Sequence, residues 1–247
     1  IKGTQNVGGI SGIVVFGTIN NCSNAGKNSG RVSIGGVVGY ANQSIVINCN
    51  NTGTTTGGSF QIGGVVGNLF SGTVGNCCNA GMIMAGSGGG LAGYIDNNSI
   101  VDNCYNTGII KGVSGVGGLA GNSSGTVKNS YNTGVISGYT EVGGIVGGYY
   151  GTVRNCYNTG AISGILAVGG VAGYVSDTGN VSDCYNTGTV SGDHNIGGVA
   201  GTVYSFGTVG NCYSIGTVSG STYIGGVAGY LNSTGSVSNC YYLSETA

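Results

Sequence analysis

Apolar residues come in short bursts along this chain, never in a long run and never at the 3.6-residue spacing of a helix face. Residues 142–164 show the pattern: V-G-G-I-V-G-G-Y-Y-G-T-V-R-N-C-Y-N-T-G-A-I-S-G. Three apolar pieces, 142–146, 152–157 and 161–163, are rich in Val, Ile, Thr and Tyr, which suits β-strands. Gly or Asn-Thr-Gly follows each piece, which suits tight turns with positive φ. A helix is excluded twice over. No piece is long enough, and Gly at this density would cost a helix about 1 kcal/mol per residue.

The pattern repeats. A Gly-Gly pair begins at Gly8, Gly35, Gly63, Gly89, Gly117, Gly143, Gly169, Gly197 and Gly225, in steps of 27, 28, 26, 28, 26, 26, 28 and 28 residues. A second marker keeps the same period: Cys22, Cys49, Cys77, Cys104, Ser130, Cys156, Cys184, Cys212 and Cys240. Two markers on one period over nine copies define a repeat architecture. A unit of about three short strands and three turns cannot bury its own apolar face, so it must stack. The expected fold is all-β: a parallel β-solenoid, or β-helix, of nine coils of roughly 27 residues. Coils about 4.8 Å apart give a rod of roughly 40 Å. A right-handed winding is expected from the handedness of parallel crossovers. Residues 1–247 form a single repeat domain, with 241–247 as a C-terminal tail.

Stacking turns equal positions into columns. Val74 with Val127 and Val153, and Ile136 with Ile162 and Val190, are expected core columns. The Gly-Gly pair marks a corner or a close backbone approach. Two Asn columns run along the rod: Asn76, Asn103, Asn129, Asn155, Asn211, and Asn79, Asn106, Asn132, Asn158, Asn186. Stacked amides can bond up a column and satisfy buried turn backbone. Tyr105, Tyr131, Tyr157, Tyr185, Tyr213 and Tyr241 form a column able to stack its rings with polar tips at the surface.

Composition narrows the function. Charged residues are only 5% of the chain, the formal net charge is -1, and there is no Pro or Trp. Six scattered Lys and Arg cannot neutralise a phosphate backbone, so no nucleic-acid partner is expected. No run approaches the roughly 18 apolar residues of a spanning helix, so no membrane insertion is expected. Ile1 falls inside the repeat pattern with no signal peptide before it, as in a segment of something longer or a processed product.

These residues resemble a known family. The pattern G-G-[LVI]-[VA]-G followed by G-T-[VI]-x-N-[CS]-Y-N-T-G-x-[VI]-S-G is similar to the GLUG-motif repeat of bacterial surface and secreted proteins. It stands here at 143–147 with 151–164, and again at 197–201 with 207–220 save for Ser214-Ile215 in place of Asn-Thr, and the resemblance covers 7–242. The resemblance implies a β-solenoid in large exported proteins, including adhesin-like proteins and the non-catalytic parts of zinc-dependent immunoglobulin A1 proteases.

Candidate chemistry is sparse. Neighbouring column cysteines would sit about 4.8 Å apart at Cα, but parallel side chains keep Cβ near 5 Å, beyond the preferred range of about 3.5–4.5 Å. A buried free-thiol ladder is therefore expected, with some disulfides as the alternative, and Ser130 fits a packing role. A linear ladder cannot supply tetrahedral zinc geometry, so no metal or other cofactor is expected. His194 lies in Gly192-Asp-His-Asn195, read as a solvated turn, and H-E-x-x-H is absent. Asp96 with Asp102 and Asp177 with Asp183 recur three coils apart, about 14 Å, too far for a catalytic dyad. The expectation is a non-enzymatic structural or adhesive module of an extracellular, cell-surface bacterial protein. Its expected partners are further copies stacked end to end into filaments, neighbouring domains of a longer chain, or a glycan or surface protein. The alternative is an ordered-surface binder, for ice or polysaccharide, using Thr and Asn columns such as Thr107, Thr133, Thr159 and Thr187.

Overall fold

The three apolar pieces of each repeat break at two points, and each break makes a corner. The computed structural model describes residues 1–149 and 151–243. In one coil the strands are Thr140–Gly143, Val146–Tyr149, Thr152–Arg154, Tyr157–Asn158 and Ile162–Ser163. The first apolar piece is split by the Gly-Gly pair and the second by Asn155-Cys156. Five short strands per coil, rather than three, build five parallel sheets along the rod, four of nine strands and one of eight. We number them I to V in the order the chain meets them. Sheet I starts at Gln5–Gly8, sheet II at Ser11–Val15, sheet III at Thr18–Asn20, sheet IV at Ser23–Asn24 and sheet V at Asn28–Gly30.

Every strand pairs in parallel with its equivalent one coil away, and the markers superpose. Gly117 pairs with Gly143 and Gly143 with Gly169, Val127 with Val153, and Tyr131 with Tyr157. No helix occurs among the described residues, so none is long and apolar enough to cross a membrane. The all-β parallel solenoid of nine coils expected from the period is the fold.

The corners use a different residue type from the one the turn rule favours. Asn48, Asn76, Asn103, Asn129, Asn155 and Asn211 all have φ between 51° and 55°. A second left-handed column runs through sheet I, at Asn6, Ser33, Gln61, Glu141, Ala167, Asn195 and Tyr223. Among the described glycines only Gly115, in that same column, has positive φ. Asn tolerates the left-handed region better than other side chains, which accounts for the corner column.

The Gly-Gly pairs serve close approach instead. A Cβ on Gly143 would lie 1.9 Å from the Val146 carbonyl oxygen, and one on Gly144 would lie 2.5 Å from Cγ of Asn158. This seam divides the interior into two apolar columns. One packs sheets II and III with the cysteine column, including Val65, Leu91, Ile145 and Val153. The other packs sheets I and V, including Ile62, Ile110, Ile136 and Val168.

The core columns dominate stability. Val153 is fully buried between Val127 and Val181. Val153→Asp would bury an unpaired charge, and chemical denaturation should show a loss of several kcal/mol. Lys128 is partly exposed and pairs with Asp102 at 3.2 Å. Lys128→Ala should cost no more than about 1 kcal/mol. Equal melting shifts for the two variants would refute the core assignment.

Candidate functional site

The two asparagine columns do different work. The inner one is fully buried at Asn51, Asn79, Asn106, Asn132, Asn158 and Asn186. Each of its amides donates one coil onward: Asn79 Nδ2 to Asn106 Oδ1 at 2.8 Å, Asn106 to Asn132 at 2.8 Å, and Asn132 to Asn158 at 2.7 Å. The second N–H of the amide donates to the carbonyl two residues ahead, as in Asn106 to Gly108 at 3.0 Å. The outer column is exposed and forms the left-handed corners. It too bonds along the rod, Asn103 to Asn76 at 2.8 Å and Asn155 to Asn129 at 3.3 Å, with Asp102 and Asp183 accepting from Asn129 and Asn211. Buried turn backbone is thus satisfied by the inner column, and corner geometry by the outer one.

The thiol column follows the outer corner. Cys49, Cys77, Cys104, Cys156, Cys184 and Cys212 are buried, while Cys22, Cys78 and Cys240 are partly exposed, and all nine are free. Each column thiol donates to the carbonyl two residues earlier: Cys77 to Gly75 at 3.1 Å, Cys156 to Arg154 at 3.2 Å, Cys184 to Ser182 at 3.0 Å. Ser130 makes the same bond with its hydroxyl, to Lys128 at 2.5 Å, and accepts from the Cys104 N–H at 3.0 Å. This shared bond explains why Ser replaces Cys there. Burial pushes the Cys49 thiol up to about 11. Cys77 is raised by its contact with Cys104 and by burial, and Cys184 by burial. Cys212 is instead lowered by its hydrogen bond with Cys184, and the raised thiols are poor nucleophiles.

The tyrosine column is a stack. Ring centroids from Tyr105 through Tyr131, Tyr157 and Tyr185 to Tyr213 are 4.9–5.1 Å apart with planes within 5° of parallel. Tyr241 continues the backbone register beyond Tyr213. Cys78, the one cysteine outside the thiol column, stands beside Tyr105 at the other end of the stack.

Acid and base groups are dispersed. Asp96 is buried and caps a turn, accepting from Ser71 N–H at 2.9 Å and from the Ser99 hydroxyl. His194 is exposed and begins a sheet I strand instead of lying in the preceding turn, between Leu166 and Thr222 of neighbouring coils. Glu245 lies outside the described residues. Among the described residues no three His, Cys, Asp or Glu side chains group to hold a metal ion. Thr107, Thr133, Thr159 and Thr187 form an exposed column, but it is one residue wide, between the tyrosine stack and the apolar Ile109 and Val135.

A groove that the repeat pattern did not reveal runs between sheets I and II. Its walls are the left-handed column of sheet I and the outward column of sheet II: Tyr40, Asn68, Tyr94, Asn122, Gly148, Tyr174, Thr202 and Tyr230. Ser33 bonds Gln61, Asn122 bonds Ser87, and Asn195 bonds Thr202 along or across it. Glu141 lies half-buried in this groove, and burial raises its carboxyl above the usual range. The sequence signal for the groove was present, but in the columns whose identity changes from coil to coil.

Two outcomes are expected. Asn106→Ala removes the acceptor of the Asn79 amide and of the Gly108 N–H, at about 1–3 kcal/mol for each buried group left unpaired. Asn103→Gly keeps the left-handed corner and should be close to neutral in the same denaturation series. For the thiols, alkylation of the folded, unreduced chain should label Cys22, Cys78 and Cys240 first. After unfolding without reductant, mass spectrometry should find all nine labelled, and several intact disulfides would overturn the ladder.

A family model described as the GLUG motif matches residues 84–111, 138–163 and 164–191. These are three of the nine coils, each holding one Gly-Gly pair and one thiol-column residue. No curated protein and no solved structure matches the chain. The remaining coils repeat the same columns in the same register, so the chain is a parallel β-solenoid three of whose coils match the GLUG motif.

Proposed function

We propose that this solenoid is a non-catalytic, stiff rod in an extracellular protein of the bacterial surface, serving as a spacer with an adhesive flank and able to stack end to end. The observation that supports this reading is the unbroken parallel register of all five sheets, which makes each coil a template for the next. The end coils carry exposed apolar side chains, with Ile13, Val15 and Phe16 at one end and Ile224, Leu231 and Tyr241 at the other. Strand edges there are open within the described residues and suit either further coils of a longer chain or a second copy. Head-to-tail contacts of this kind build open filaments, and a net charge of -1 offers little repulsion. Burial of the thiol column and dispersal of the carboxylates are consistent with a module that carries no reaction.

The ordered-surface alternative lacks support in the same columns. A hydroxyl lattice needs two dimensions, and the exposed Thr column has one.

Sedimentation and negative-stain microscopy of the 247-residue chain across concentration test the rod. Short rods that lengthen with concentration are expected, and clean monomers at high concentration would remove end-to-end stacking from the proposal.

A further inference from the structure

One flank of the rod carries three outward columns that change along its length in the same way. They run over sheet V and the turns on either side of it. The first is Met82, Ile109, Val135, then Ala161, Thr189 and Thr217, all exposed. The second, paired in register, is Met84, Lys111, Ser137, then Ser163, Ser191 and Ser219. The third follows the glycine after each strand: Val113, Tyr139, Ile165, then Asp193 and Ser221. Bonds such as Ile165 N–H to the Tyr139 carbonyl at 2.9 Å hold it in step. In each column long or apolar side chains come first, and small or polar ones follow.

The fold does not need the apolar half of this flank. Sheet V fills its core with the inward residues Ile83, Ile110, Ile136 and Ile162. The outward residues face solvent, with Val113 and Tyr139 each 59% exposed and Val135 48%. A contiguous apolar patch midway along a rod, away from the open strand edges of the end coils, marks a recognition surface. The three columns carry two charges, Lys111 and Asp193. Asp193, two residues beyond Ser191, lies three coil steps along the rod from Lys111, about 14 Å. Both are exposed, and neither has an ion-pair partner among the described residues.

The taper and the charges select the partner. A second copy laid antiparallel on this flank, related by a two-fold axis across the rod, sets each column against itself in reverse order. With the axis between the coils of Val135 and Ala161, Val135 faces Ala161 of the other copy, Ile109 faces Thr189, and Met82 faces Thr217. The same axis sets Tyr139 against Ile165, and Lys111 over Ser191 and its neighbour Asp193. Large meets small along the first two columns, and positive meets negative at both ends of the patch. The midpoint of the taper coincides with the midpoint of the charge pair, although nothing in the repeat links the two. A parallel pair fails on both counts. It puts Met82 on Met82 and Lys111 on Lys111, and it leaves a gap between the small halves.

We propose that two copies of this rod pair side by side and antiparallel through the sheet V flank, with Lys111 of each bonded to Asp193 of the other. This pairing rests on the adhesive flank of the function proposed above and names its partner as the chain itself. Rods that extend from facing surfaces meet in this orientation. End-to-end stacking uses the strand edges of the end coils and leaves the flank free, so the two associations are separable.

Velocity sedimentation and carbodiimide cross-linking of the full chain test the pair, with ordinary and heavy-isotope-labelled protein mixed in equal parts. Mass spectrometry should find a Lys111–Asp193 link in mixed-isotope peptides, which join one copy to the other. The Lys128–Asp102 pair, 3.2 Å apart, supplies a link within one copy as the control. Lys111→Asp sets carboxylate against carboxylate and should weaken pairing tenfold or more. Combining it with Asp193→Lys exchanges the charges and should restore pairing. Ala161→Trp, at an exposed position on the small half, should also weaken pairing tenfold or more while sparing the core. Circular dichroism melts confirm that each variant folds. The pair is refuted if no Lys111–Asp193 link joins two copies, if the charge exchange fails to restore pairing, or if Ala161→Trp pairs as the parent does. In negative stain, rods that lengthen without doubling in width would sink the pair alone, and paired rods that never lengthen would sink the filament alone.

Discussion

A buried amide that must find all its partners inside the protein is the constraint on which the coil depends. The inner asparagines have no access to water, and each unpaired group would cost about 1–3 kcal/mol. Their partners are an amide in the coil before, an amide in the coil after, and the carbonyl two residues ahead. That set exists only if neighbouring coils keep register at this point. The second glycine of the pair then has to be glycine, because from Gly9 to Gly170 the Asn side chain occupies the place of its Cβ, and Ser214 and Tyr242 do so at Gly198 and Gly226. Length differences between coils are therefore pushed elsewhere. The distance from the first glycine of the pair to the cysteine position varies from 13 to 15 residues. Coils at the long end fit a turn between sheets II and III, closed by bonds such as Ser99 N–H to Asp96 O at 3.1 Å and Gly179 N–H to Ser176 O at 2.8 Å.

The same constraint explains what could be read from the sequence. Columns that serve the register repeat with few exceptions, such as Ser130 and Ser214, so the period, the parallel stacking and the core columns were legible from the Gly-Gly, Asn and Cys markers. The number of strands was not. Asn155 and the Gly-Gly pair sit inside what looks like continuous apolar strand, and only their backbone shows corners there. Turn rules that assign positive φ to glycine pointed to Asn-Thr-Gly, while the left-handed residue is the Asn that precedes Cys. The cysteine column was legible as packing through Ser130. Its hydrogen bond to the corner carbonyl was not, because a sulfur donor leaves no mark on composition.

The thiol and tyrosine columns show how little chemistry this geometry releases. Both place reactive groups at one-coil spacing, close enough for neighbours to cooperate. Instead each group spends its capacity on a neighbour. The thiol proton goes to a backbone carbonyl, and burial holds it there. The ring faces go to other rings. A column that repeats perfectly saturates itself, and saturation is what makes it structural.

Variation along such a rod then lies in the columns that fail to repeat. Sheet II alternates Tyr with Asn, Gly and Thr at its outward position, although the glycine before it and the core residue after it stay in step. Where a small side chain stands in that column, a ring two residues further along the chain leans on the neighbouring tyrosine, Phe70 on Tyr40 and Tyr204 on Tyr174. The register, fixed by the buried amides on the opposite side of the seam, is kept at these positions all the same. The outward column of sheet II can therefore change residue by residue without moving the backbone beneath it. Sequence drift there alters the surface and leaves the rod intact.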